Sequence, residues 1–338
     1  MKVLVTGGCG FIGSNTAARH VGLGHSVTVL DNLSRRGTDK NLQWLQGLGK
    51  IRFLKTDVRD RRGVLRALKA GPYGVVYHFA GQVAVTTSVT DPRTDFEVNA
   101  LGTLNVLEAM RLTRSKAVLI YASTNKVYGE MEHVPLREGK TNVRYRTYPN
   151  GIPESFPLDF HSPYGCSKGA ADQYIRDYRR IYGLNTVVFR QSCIYGERQF
   201  GIEDQGWVAH FIIQTALGRD IRIYGDGRQV RDVLYVGDLI SAYECAWKKR
   251  ALSRGRIYNM GGGASNQISL LDFVYILEKE FGRKIRPTFH PARPGDQRIF
   301  VSDNSKIERE LGWKQKMDHR SGIARLISWV EDNRGLFG

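Results

Sequence analysis

Cysteine is scarce in this chain. Four are present in 338 residues, at positions 9, 166, 193 and 245, with no Cys-x-x-Cys and no regular spacing. That excludes a disulfide framework and offers no tetrahedral zinc set. The eight histidines are just as dispersed, so no metal is expected. No apolar run approaches the roughly 18 residues of a membrane span. The short run at Val3–Val5 is broken by glycines too early for the apolar segment of a secretion signal. Low-complexity tracts and internal repeats are missing as well. Together these absences lead us to expect a soluble chain in the reducing cytoplasm. Acidic residues are also in short supply, 33 against 50 lysines and arginines, for a net charge of +17.

Such a surplus invites a nucleic-acid partner. However, the densest basic groups (Arg59, Arg61 and Arg62; Arg176, Arg179 and Arg180; Lys248, Lys249 and Arg250) lie far apart on expected helices. No helix-turn-helix, zinc-finger or RNP pattern accompanies them, and specific nucleic-acid binding is not expected. A basic surface can instead steer a substrate carrying two phosphates toward a cleft.

What the chain does have is alternation. Short, nearly continuous apolar runs at 2–6, 26–30, 51–55, 74–79, 117–122 and 185–189 read as strands with both faces covered. Helical stretches near 11–24, 60–70, 92–113, 163–182 and 206–217 separate or follow them. This order predicts an α/β fold, a doubly wound parallel Rossmann sheet with a smaller mixed α/β C-terminal substrate lobe. The expected division assigns 1–192 and 231–255 to the sheet domain, and 193–230 and 256–338 to the smaller lobe. A cleft between the two is the expected site.

The first strand runs directly into Gly7-Gly8-Cys9-Gly10-Phe11-Ile12-Gly13 and then into a helix. Glycines at this turn let a pyrophosphate approach the backbone, and the helix start supplies N–H groups and positive dipole. Gly7, Gly10 and Gly13, with the backbone of Phe11 and Ile12, are therefore expected to cradle a dinucleotide. Asp31 ends the second strand, where a carboxylate accepts hydrogen bonds from ribose hydroxyls and repels a 2′-phosphate, favouring NAD over NADP. Arg35 and Arg36 are a counter-argument, since arginine can hold that phosphate. Asn32, Ser34 and Arg35 extend the same loop. Asp57 and Val58 follow the third strand and Ala80, Gly81 and Gln82 the fourth, all beyond carboxyl ends where ligands of open sheets bind. Asn99, Ser123 and Gln191, with Tyr164 and Lys168 of the second motif, complete the expected cofactor contacts. Cys9 and Cys166, inside the two motifs, are expected to be small packing residues.

Tyr164 and Lys168 share one helix face, with Ser162 and Pro163 expected as N-cap and first position. A tyrosine base near neutrality needs its pKa lowered by roughly three units, about 4 kcal/mol. The expected sources are Lys168 and a positively charged nicotinamide. The same spacing recurs at Tyr275 and Lys279, on an amphipathic stretch with no glycine-rich loop nearby, so the first copy is favoured by position. Ser123 and Thr124 end the strand before it, and Thr124 can hydrogen-bond a reacting sugar hydroxyl. Arg231 and Arg298 suit phosphate oxygens.

Taken in order, these motifs resemble the extended short-chain dehydrogenase/reductases, in their nucleotide-sugar epimerase and dehydratase group and most of all the 2-epimerases of CDP-linked sugars. The resemblance is carried by Ser123-Thr-Asn-Lys-Val-Tyr-Gly129, by 158–174 around Ser162-Pro-Tyr-Gly-Cys-Ser-Lys168, and by Phe189-Arg-Gln-Ser-Cys-Ile-Tyr195. It implies Thr124, Tyr164 and Lys168 as catalytic, Asp31 as the ribose-binding acid, and Arg231 and Arg298 on the diphosphate. It also implies tightly held NAD regenerated at each turnover, a CDP-linked sugar oxidised transiently at C-2, and a homodimer or larger homo-oligomer. Two rivals share the machinery. A 4-epimerase seats the sugar differently, and a 4,6-dehydratase carries Asp-Glu after the threonine, where this chain has Asn125 and Lys126.

Overall fold

Alternation along the strands decides the architecture. Val3, Val5, Val27, Val29, Val118 and Ile120 enter one apolar cluster, while their neighbours Leu4, Leu30 and Leu119 enter another. A sheet with apolar residues on both faces needs helices on both faces. In the computed structural model, which describes residues 1–293 and 295–337, it has them. Seven parallel strands run in the order Ile51–Lys55, Ser26–Asp31, Lys2–Thr6, Val75–His78, Val118–Thr124, Asn185–Gln191, Arg256–Met260. From the strand Lys2–Thr6 the chain winds to one side. It then returns to build the other from Val75–His78 outward. The crevice at this reversal, beyond the strands' carboxyl ends, is where ligands of open α/β sheets bind.

The six expected strands and the main helices are present, and three local expectations are corrected. The stretch 92–113 is broken into Pro92–Phe96, a π turn at Glu97–Leu101, and Gly102–Leu112. Helices Thr38–Leu48 and Val85–Thr90 were not expected. The catalytic-motif helix spans Ser162–Tyr182 with His161 at its N-cap position. Ser162, at φ +65°, nevertheless performs the capping bond, its Oγ accepting from Gly165 N at 3.2 Å.

The expected division of the chain is also crossed by its strands. Arg256–Met260, assigned to the smaller lobe, is instead the edge of the large sheet beside Asn185–Gln191. The strand Val230–Tyr235, assigned to the sheet domain from residue 231 onward, belongs to a smaller sheet. There it pairs with Cys193–Tyr195, Gln267–Ser269 and Ile299–Phe300. Only the following helix, Val236–Lys248, returns to pack on the large sheet's helix Phe11–Gly22. Among the described residues no helix is long and apolar enough to cross a membrane, and no group of His, Cys, Asp and Glu is placed to hold a metal ion.

Two buried histidines stand behind the crevice. His78 Nδ1 lies 2.7 Å from Thr6 Oγ1 and its Nε2 3.0 Å from Thr103 Oγ1. His20 Nε2 lies 2.9 Å from the Tyr77 hydroxyl. Burial pushes His78 down to about 3 and, with the neighbouring His25, His20 to about 4. A histidine whose folded pKa is depressed binds fewer protons folded than unfolded, so stability is present above the unfolded value and lost as pH falls below it. Unfolding free energy is expected to drop between pH 6.5 and pH 5 by roughly 2 kcal/mol for each histidine. Urea titrations at pH 5 and 7 check this, and His78→Gln should remove about half of the histidine share. A His78→Gln protein with an unchanged difference would refute it.

Candidate active site

The first turn after strand Lys2–Thr6 is built so that backbone can pass close to backbone. Gly7 sits at φ +65°, and a Cβ there would stand 2.5 Å from Ala80 N. A Cβ at Gly13 would stand 2.1 Å from the Gly7 carbonyl oxygen. Gly10 precedes the helix Phe11–Gly22 with no capping side chain, so the turn is a cradle of glycine backbone facing an uncapped helix start. Phe11 and Ile12 are half-buried against the core on the inner side.

Asp31 is almost wholly buried and fixed by its own backbone surroundings. Its Oδ2 accepts from Cys9 N at 2.9 Å and its Oδ1 from Leu33 N at 2.8 Å. Burial raises its pKa, and these bonds work the other way. Each oxygen keeps a lone pair for a further donor. Asn32 joins this loop to the next, donating to Asp57 Oδ2 at 2.8 Å and accepting from Ser34 N at 3.1 Å. Partial burial opposes ionisation of Asp57, but the Arg59 guanidinium bound to it prevails and holds it down at about 2. Val58 faces inward, packed with the second core cluster, its carbonyl taken by Asn105. Arg35 is exposed and donates to Gln205 Oε1 at 2.9 Å.

Opposite this arm lies the Tyr164–Lys168 pair, both buried, at 8% and 5% exposure. Lys168 Nζ donates to the Ala122 carbonyl at 2.5 Å and lies 4.3 Å from the Tyr121 ring centroid. A Cβ on Gly81 would stand 3.9 Å from that Nζ and 3.0 Å from Asn99 Oδ1. The loop after strand Val75–His78 and the helix Ser162–Tyr182 therefore meet at Gly81. Gln82 N donates to Asn99 Oδ1 at 2.9 Å, fixing the same junction. The second Tyr-x-x-x-Lys copy is on the outside, with Tyr275 56% exposed under its own lysine.

One electrostatic expectation is corrected. Burial drives Tyr164 up, to about 12, and the Thr124 hydroxyl bonded to it opposes this only in part. Lys168 does not lower it, because burial pulls the ammonium itself down to about 7 and its hydrogen bond goes to Ala122. Desolvation of both partners outweighs their pairing. The protein alone leaves Tyr164 a protonated phenol.

Several candidates turn away from the crevice. Ser123 Oγ donates to Asp172 Oδ2 at 3.0 Å, inside the core, and the Gln191 amide donates to the Tyr243 hydroxyl. Cys9 is buried as expected, whereas Cys166 is exposed and is not a packing residue. Thr124 Oγ1 accepts from Lys126 N at 3.2 Å, capping a short turn at Asn125–Tyr128. Arg231 lies on the small-sheet strand Val230–Tyr235, and Arg298 immediately precedes the adjoining strand Ile299–Phe300. Arg231 Nη2 donates to Asp296 Oδ1 at 2.6 Å, and Arg298 pairs with Glu138 at 3.1 Å.

Other residues of the site gave no local signal. Asn125 Nδ2 donates to Gln297 Oε1 at 2.8 Å, and Lys126 Nζ to the Gly295 carbonyl at 2.9 Å. The segment 295–297 is thus tied down over the turn that follows Thr124. Beneath it, Arg190 and Asp172 form a buried two-armed ion pair, at 2.9 and 3.1 Å. Nothing in their sequence spacing announces either arrangement.

Known proteins resemble this chain over nearly its whole length. It is 46% identical over 335 residues to CDP-paratose 2-epimerase of Salmonella typhi, covering 98% of this chain and 99% of that protein. The fold is shared with UDP-glucose 4-epimerase of Thermotoga maritima solved with UDP-glucose, at TM-score 0.86 and 29% identity over 99% of this chain and all of that one. It is shared too with the UDP-glucose 4-epimerase of Thermus thermophilus solved with NAD, at TM-score 0.81 and 33% identity over 98% and 100%. A sequence profile described as GDP-mannose 4,6 dehydratase matches residues 4–326, from the first strand into the last long helix. The chain belongs to that family, within the extended short-chain dehydrogenase/reductases.

Proposed function

We propose that this protein is an NAD-dependent nucleotide-sugar 2-epimerase acting on a CDP-linked sugar. The observation that carries the reading is the end-to-end match at 46% identity to a protein named CDP-paratose 2-epimerase. The geometry of the crevice supports it. The glycine cradle at Gly7–Gly13 and the uncapped helix start suit a pyrophosphate. Asp31 keeps acceptor capacity for ribose hydroxyls, while Arg35 is engaged with Gln205, which favours NAD over its 2′-phosphorylated form. Asp57 suits the adenosine end, and Gly81 leaves the nicotinamide end room beside Lys168. NAD, when bound, supplies the acceptor and later the donor for the hydrogen of the reacting carbon, and a positive ring charge.

The chain's own groups do the rest. Thr124 holds the reacting hydroxyl against Tyr164. The Tyr164 oxygen takes the hydroxyl proton as the sugar becomes a ketone and returns it after the sugar has turned over. A base that must give its proton back is best kept close to neutral in both states. A phenol that burial holds at about 12 is poised to do so only while a cation lies beside it. Lys168 orients the pair through its bond to Ala122. Arg231 and Arg298 take the diphosphate, Arg231 exchanging Asp296 for phosphate oxygens. Dehydration is disfavoured because Asn125 and Lys126, bound to Gln297 and Gly295, offer no carboxylate to drive an elimination.

Two measurements test this. Denaturing the purified protein is expected to release NAD in near-stoichiometric amount, detected chromatographically. Finding NADP, or no nucleotide together with only millimolar NAD affinity, would contradict the cofactor reading. Incubation with CDP-, GDP- and UDP-sugars, read by NMR, should show inversion at C-2 for a CDP-sugar. Inversion at C-4 of a UDP-sugar would move the protein to the 4-epimerases.

A further inference from the structure

Asp95 is a buried carboxylate that the mechanism above does not use. It is 1% exposed and sits in the short helix Pro92–Phe96, just before the π turn that carries Asn99. Its Oδ1 accepts from Gln82 Nε2 at 2.9 Å and from Asn99 Nδ2 at 3.1 Å, and its Oδ2 accepts from Ser167 Oγ at 2.5 Å. Asn99 Nδ2 also reaches Ser167 Oγ at 3.0 Å. One carboxylate thus ties together three separate pieces of chain. They are the loop after strand Val75–His78, the π turn, and the catalytic helix at the residue next to Lys168.

Neutral hydrogen bonds alone do not make a buried carboxylate comfortable. Such a charge is costly unless a counter-charge is near. All three hydrogen-bonding side chains here are neutral. Lys168 is the buried cation on which Asp95 acts, and Asp95 acts on it more strongly than Asp172 does. Lys168 has the reciprocal need, since it is buried, hydrogen-bonded to a carbonyl, laid over the Tyr121 ring and close to the fully buried His78.

We infer that Asp95 is a positioning residue of the active site, clasping the catalytic helix to the cofactor-side loop and supplying the negative charge against which the Lys168 ammonium is held. The inference rests on the reading of Tyr164 and Lys168 as the reacting pair. The charged groups facing these two are Asp95 and Asp172 toward Lys168, and Asp95 and Arg35 toward Tyr164. Asp95 favours the proton on both. Removing its charge lowers both pKa values together, which loss of packing alone would not do.

The test compares the holoenzyme with Asp95→Asn and Ser167→Ala. In Asp95→Asn both limbs of the pH profile of kcat/KM should move to lower pH, by about one unit or more. In Ser167→Ala, which loosens the clasp but keeps the charge, activity should fall several-fold with the limbs in place. Limbs that stay put in Asp95→Asn would overturn the inference. A second arm needs no turnover and no Asp95 variant on its own. Lys168→Met leaves the carboxylate without its cation, raising its folded pKa, so between about pH 4.5 and 6, below the titration of Lys168 itself, stability should fall with rising pH more steeply than in the wild type. Asp95→Asn/Lys168→Met should abolish that extra slope. An unchanged slope in Lys168→Met would equally overturn it. If the wild type turned over no nucleotide sugar, the function proposed above would fail while this stability arm still decided the pairing.

Discussion

Tyr164→Phe is expected to lower kcat by roughly 10²–10⁴-fold, the contribution of a positioned proton-transfer group, while leaving the fold and the bound cofactor in place. The reason is local. Tyr164 is the phenol held at the mouth of the crevice between Thr124 and the helix start, with its backbone N–H bound to Ser88 Oγ at 3.1 Å. Loss of the hydroxyl removes the proton carrier and none of the backbone contacts. The chain contains its own control. Tyr275 has the same spacing to Lys279 but is 56% exposed on the helix Leu270–Phe281, so Tyr275→Phe should be nearly silent. Steady-state rates of both variants on the same substrate check this. Similar losses in the two would mean that the wrong copy had been placed at the centre of the chemistry. A Tyr164→Phe protein that has also lost its cofactor would mean that the tyrosine holds the dinucleotide rather than the proton.

The largest stability effect is expected one layer below, at Asp172. This carboxylate is wholly buried and takes both arms of Arg190, at 2.9 and 3.1 Å, together with the Ser123 hydroxyl at 3.0 Å. Arg190 in turn donates to the Tyr128 hydroxyl at 3.1 Å, and Tyr128 donates to Asn259 Oδ1 at 2.7 Å. The network joins the catalytic helix, the strand that ends in Thr124, the turn after it and the edge strand Arg256–Met260. Removing one partner of a buried pair leaves the other charge without compensation, at a cost of about 3–5 kcal/mol. Asp172→Ala should therefore shift the urea midpoint far more than Arg19→Ala. Arg19 pairs with Glu244 at 2.5 Å but is half exposed, and such pairs contribute about 1 kcal/mol or less. Equal effects of the two would show that the buried network does not hold the platform beneath Thr124 and Ser123.

Much of this was legible in the residues, and the failures have physical causes. The large sheet was readable because its strands are continuous apolar runs, a pattern that burial on both faces imposes. Its seventh strand, Arg256–Met260, was missed for the opposite reason. It carries Asn259, whose amide is committed to Tyr128 and the Ile152 carbonyl and so reads as polar loop. The π turn at Glu97–Leu101 carries Asn99, which is held by Gln82 and Ser167, and tertiary contacts of that kind leave no periodic trace. The placement of Tyr164 and Lys168 on one helix face followed from spacing, yet their electrostatics did not. Spacing shows a cation near a phenol, whereas burial of both, which sets the actual directions, appears only once the helix is packed. The same holds for Asp95, which is an ordinary residue of a short polar helix until Gln82, Asn99 and Ser167 close around it.

The central claim is that the reacting carbon is C-2 and that its hydrogen leaves and returns without meeting water. The most direct measurement is turnover of a CDP-sugar deuterated at C-2, with the product read by NMR. The label should remain at C-2 of the inverted sugar, and the unlabelled substrate run in heavy water should gain no deuterium on the ring. Solvent deuterium at C-2, or inversion at a different carbon with C-2 untouched, would contradict the account.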